Sequence, residues 1–195
     1  MKNFKILILI TTLATGLLSC KKEESNTLNS NSTEVDNSLH FSFKTPDWER
    51  KVDCSHLNLL GDKKNDATLS VWVPSASTNA TFIFNYPADY LTMVLKNNLK
   101  KYGIVDFAAN EYSTFTLALK LPLNQGSTER LISNTGFNEN EYCQITEIKY
   151  LQSDEKTAQF AVKGKYSLQA RVLNSESSTK LITGTFNWKV NTSKN

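Results

Sequence analysis

Ala158, Phe160, Val162, Gly164, Tyr166, Leu168, Ala170 and Val172 are all apolar or small, and every residue between them except Ala161 is polar or charged. An alternation kept up over so long a run fits one conformation, an extended strand with one face buried and the other in water. Ile182, Gly184, Phe186, Trp188 and Val190 repeat the pattern against Thr183, Thr185, Asn187 and Lys189. The polar loop Asn174–Thr179 lies between the two runs, so they read as an antiparallel hairpin. An in-phase register sets Tyr166 against Trp188 as an aromatic cross-strand pair. Gly164 and Gly184 fall on the apolar face, where they suggest bends or bulges in long, curved strands.

The same period recurs upstream at Leu39/Phe41/Phe43, Leu69/Val71/Val73, Phe82/Phe84/Tyr86 and Phe115/Leu117/Leu119/Leu121. Tyr142–Leu151 reads as a further strand ending in a turn at Ser153–Lys156. One segment departs from it. Leu91, Val94, Leu95, Leu99 and Tyr102 keep helical spacing between Pro87 and Gly103. Pro87 suits a first helical turn, Asp89 complements its positive end, and Lys96, Lys100 and Lys101 favour the other. One helix over residues 87–102 among about seven strands implies a mostly β domain. The expected form is a single antiparallel β-sandwich or half-open barrel spanning residues 39–195, with the helix over an end or edge.

The N-terminus is of another kind. Met1–Lys5 carries two lysines, and Ile6–Leu18 is almost wholly apolar or small. That reads as a secretory leader, too short for a spanning helix of about 20 residues. Leu17-Leu18-Ser19-Cys20 resembles the lipobox of bacterial lipoproteins, which implies cleavage before Cys20 and lipid attachment to it. Residues 1–19 are then a signal peptide, and residues 20–38 the lipidated cysteine with a tether. From Lys21 to Ser38 only Leu28 and Val35 are apolar, so the stretch cannot bury enough surface to offset its ordering entropy. It is expected to be flexible, with a reach of roughly 20–25 Å. Lys21-Lys22-Glu23-Glu24-Ser25 resembles the acidic export signal of surface lipoproteins in the Bacteroidetes. No Asp follows Cys20 directly, which removes the usual inner-membrane retention signal. The expected location is the outer membrane by a lipid anchor, with the cell surface favoured over the periplasmic face.

With Cys20 assigned to lipid, Cys54 and Cys143 are left as an even pair in a compartment that permits disulfides. Bridged, they would close a loop of about 90 residues, worth roughly 4–5 kcal/mol on a chain-entropy argument. Unbridged, they are two separate buried thiols; the sequence leaves both open. The 22 Lys and Arg face 19 Asp and Glu, a net charge of +3. Loss of Lys2 and Lys5 with the leader leaves 20 against 19, or +1. A near-neutral chain gives no basis for nucleic-acid binding, which needs a clustered basic surface.

Three segments of the C-terminal third carry a family resemblance: Ile145-Thr146-Glu147-Ile148, Val162-Lys163-Gly164-Lys165-Tyr166 and Leu181-Ile182-Thr183-Gly184-Thr185-Phe186. Together they are similar to small Bacteroidetes lipoproteins of unknown function, the DUF6252-like proteins. Lys-Gly-Lys-Tyr stands where Ser-Gly-Thr-Phe is more usual there. The resemblance implies an all-β secreted lipoprotein and transfers no functional residues.

Few residues suit catalysis. Cys54-Ser55-His56 puts a thiol near an imidazole, but nucleophile and base must meet in space, which adjacency does not establish. Neither a paired-cysteine motif nor a His-Glu-x-x-His helix is present for zinc, and Asp62–Asp66 and Asn138–Glu141 lack the spacing of a calcium loop. No phosphate loop or Gly-x-Ser-x-Gly elbow occurs. The sequence therefore implies no catalytic residue, metal or cofactor. Binding candidates are Trp72, opposite Leu69/Val71/Val73 on the face expected to be wet, and Trp48 in the polar stretch Pro46–Asp53. Trp188, on the apolar stripe, reads as core. The expected function is an envelope-anchored module that binds a glycan, a small apolar ligand or an envelope protein. The alternative is a structural or protein-interaction component of the outer membrane, and a hydrolase comes last.

Overall fold

The computed structural model describes residues 35–57, 59–76, 78–175 and 178–194. The expected leader, Cys20 and nearly all of the expected tether lie outside them. Among the described residues, eleven strands form one antiparallel sheet. They are β1 (His40–Lys44), β2 (Glu49–Asp53), β3 (Asp62–Lys63), β4 (Thr68–Ser75), β5 (Ala80–Pro87), β6 (Lys101–Tyr102), β7 (Leu117–Pro122), β8 (Arg130–Ser133), β9 (Tyr142–Ser153), β10 (Thr157–Val172) and β11 (Thr179–Ser193). The main path runs β2-β1-β11-β10-β8-β7-β5-β4-β3, while β9 pairs with β10 and with β6. The domain is a mostly β fold, one open antiparallel sheet of the sandwich or half-open barrel kind, and its described residues form a compact unit with their own core.

The β10–β11 hairpin is the spine. It pairs in unbroken register from Thr157↔Ser193 to Arg171↔Thr179. β9 borders the N-terminal part of β10, and β8 its last three residues. The register differs from the expected one: Tyr166 faces Gly184, and Trp188 faces Val162. Each glycine on the apolar stripe sits opposite an aromatic ring, Gly164 against Phe186 and Gly184 against Tyr166. A Cβ on Gly164 would meet Phe186 at 2.2 Å, and one on Gly184 would meet Ser42 O at 2.1 Å. The glycines are therefore seats for rings. At Gly164 a register shift also occurs, with Thr146 the extra residue on β9, whereas the ladders flanking Gly184 are regular.

Four strands separate β1 from β5 along the sheet, yet the Phe41 and Phe82 rings stack with centroids 4.3 Å apart. The sheet has thus curled until its two halves face each other. Trp188 lies between the halves, parallel to Phe82 at 4.8 Å and to Phe186 at 4.3 Å. Phe84, Phe115, Tyr86 and Tyr166 are likewise buried. Stacked rings of this number fill the interior and carry much of the burial energy.

The helical segment is shorter than its spacing suggests. α1 covers only Tyr90–Met93, capped by Asp89, whose carboxylate accepts from Thr92 N at 2.8 Å. A 3₁₀ turn follows at Lys96–Asn98. Asn98 ends the helix by donating its side-chain amide to Thr92 O at 2.7 Å and Met93 O at 3.2 Å. Pro87 is the last residue of β5 rather than the start of the helix. No described helix is long and apolar enough to cross a membrane.

Candidate functional site

Each candidate is set by the strand or turn that carries it. Trp72 lies on the outer face of β4, opposite Ile83, and is 63% exposed, as the alternation predicts. Trp48 precedes β2 and is partly buried against the core. Its ring meets Phe43 edge-on at 4.7 Å, and its indole N–H donates to Pro122 O at 3.3 Å. One side of that ring walls a depression of about 120 Å³ with Arg50, Asn79, Pro122 and Gln125. A wider one, about 340 Å³, lies between β8 and the end of β10, lined by Glu129, Arg130 and Leu173. Trp48 and Trp72 do not share a site: one closes a loop against β7, the other stands on a strand face. Trp188 is core.

The two described cysteines are unbridged. Cys54 and Cys143 are both free and buried. Cys54 follows β2, its thiol directed at Val52 O 3.7 Å away. Desolvation, with Asp53 beside it, pushes that thiol up to about 11. Cys143 is wholly buried in β9 opposite Tyr166, and burial raises its thiol well above the usual range. Such thiols stay protonated, so Cys54 is not poised as a nucleophile despite His56 two residues on. Among the described residues no three His, Cys, Asp or Glu side chains gather as metal ligands.

The feature that sequence reasoning missed is the segment after β5. Its helical spacing suggests a helix covering an end or edge of the domain, a placement in which the apolar residues face inward. Met93 does so, fully buried, and Tyr90 packs on Phe160 at 5.8 Å. But Leu91, Val94, Leu95 and Leu99 are 71%, 43%, 49% and 52% exposed. With α1 one turn long and the chain turning back through Asn98, only Met93 and the tyrosines reach the core. The leucines are left on the outside. Between Tyr90 and Val105 stand Lys96, Lys100 and Lys101 and no carboxylate. The available signal was that combination: an apolar stripe whose intervening charges are all of one sign.

No protein-family model, curated protein or solved structure matches this chain.

Proposed function

We propose that this chain is a lipid-anchored module of the bacterial outer membrane that works by surface contact. The observation that carries the contact reading is the exposed Leu91–Leu99 segment on a domain whose interior is filled by stacked rings. A filled core favours an interaction component over a carrier that encloses a small apolar ligand. The anchor rests on the lipobox-like Leu17–Cys20 behind an apolar leader. The outer membrane rests on the absence of Asp after Cys20, and the outward face on Lys21-Lys22-Glu23-Glu24-Ser25. The resemblance to small Bacteroidetes lipoproteins points the same way.

Cell fractionation with surface proteolysis tests this reading. The wild type should sediment with membranes and Cys20→Ala should not. On intact cells the wild-type domain should be shaved, and a Lys22→Gln/Glu23→Gln/Glu24→Gln variant protected. Membrane attachment that survives Cys20→Ala overturns the anchor. A second reading, a glycan binder, is favoured by the Trp48 ring beside Arg50, Asn79 and Gln125. It requires that Trp48→Ala abolish retention on an immobilised glycan while leaving the fold intact.

A further inference from the structure

We infer that the segment Leu91–Lys101 is a membrane-contact element that lays its leucines into an anionic lipid surface. The inference deepens the contact reading above and rests on the lipid anchor for its geometry. Leu91, Val94, Leu95 and Leu99 are four exposed side chains, against the roughly 20–30 residues that each side of a stable protein interface contributes. That is little for a protein partner but enough for a few side chains to enter the headgroup–acyl boundary.

Charge selects the surface. Lys96, Lys100 and Lys101 form no ion pair among the described residues; Lys101 Nζ donates to the Glu139 backbone oxygen at 3.4 Å, and Asp89, the carboxylate nearest in sequence to the segment, is committed to capping Thr92. Lys100 lies over the Tyr102 ring at 5.3 Å, and Lys101 over Tyr142 at 4.0 Å. Tyr150, half exposed, meets Tyr90 edge-on at 6.3 Å. Leucines flanked by tyrosines and unpaired lysines are the chemistry of the membrane–water boundary.

Position supplies the second argument. Asp89 bridges Ser193, and Leu59 bridges Val190, on the last residues of β11. Leu60, 71% exposed, therefore stands at the same end of the sheet as Leu91. A lipid anchor of the kind proposed above would hold the domain, and with it these leucines, at high effective concentration near a bilayer.

The test uses the unlipidated chain from Lys21 to Asn195 and vesicles of phosphatidylcholine alone or with one quarter phosphatidylglycerol. Co-sedimentation is expected with the anionic vesicles only, and should weaken as salt rises. Leu91→Ser/Leu95→Ser should reduce partition roughly 100-fold or more. Lys96→Gln/Lys100→Gln should reduce it roughly 25-fold, about fivefold for each charge. All four positions are exposed, so both variants should keep the wild-type melting temperature. Lack of vesicle binding by the wild type, or binding unchanged in both variants, overturns the inference. So does a concentration-dependent dimer that Leu91→Ser/Leu95→Ser dissolves, which would make a second copy the occupant. Fractionation of Cys20→Ala plays no part in this assay, so the anchor and the lipid contact can fail separately.

Discussion

His40 is buried at the start of β1 with both ring nitrogens engaged. Its Nδ1–H donates to Ser38 O at 2.7 Å, so Nε2 accepts from the Thr185 hydroxyl at 2.8 Å. Thr185 Oγ1 in turn accepts from Ser42 at 2.8 Å. Desolvation of the buried ring lowers the imidazole below its ordinary 6.5. Below 6.5 the unfolded chain binds a proton that the folded chain refuses, so stability present at neutral pH is lost as pH falls. The melting temperature should drop between pH 7 and pH 5, and His40→Gln should flatten that slope. The thiols of Cys54 and Cys143 make a second residue-level prediction. An alkylating probe at neutral pH should leave both unmodified in the folded domain and label both in denaturant. Reductant should leave the melting temperature unchanged, because no bridge is present to break.

At the scale of elements, the glycine–aromatic pairs of the β10–β11 hairpin are the most exacting fit. Gly184→Ala drives a Cβ against a backbone oxygen of β1 as well as the Tyr166 ring, and Gly164→Ala against Phe186 and Gln144 O. Each should cost about 1–3 kcal/mol by overpacking, read as a fall in the urea midpoint without a change of slope. Gly126, at φ +79° with open space where a Cβ would go, marks a loop where the backbone alone asks for glycine. The strands that alternation revealed, β1, β4, β5, β7 and β9 to β11, are those with one face in the core. β2 went unseen because Glu49, Arg50, Lys51 and Asp53 carry no apolar period. It exists through its ladder to β1. β8 is four residues long, too short for a period to emerge. The helical segment was legible as a stripe but not as an outward-facing one, since periodicity fixes which residues share a face and not what covers it. The Trp48 depression was half legible: the ring stood out, while Asn79 and Gln125 reach it only through folding.

At the scale of the molecule, β11 holds the domain together. It supplies Phe186 and Trp188 to the ring stack and pairs with both β1 and β10. A chain ending at Ser178 should lack the near-ultraviolet signal of packed aromatics and bind a hydrophobic dye, because two strands lose their ladders together. Phe41 on the first strand pairs with Phe186 on the last. Nearly the whole sequence must therefore exist before the sheet can close, so a ribosome or a translocation pore that delivers the N-terminus first meets a chain unable to fold ahead of time. For a protein read as crossing a membrane, that order of events is useful: the topology itself postpones folding until the carboxyl end has come through.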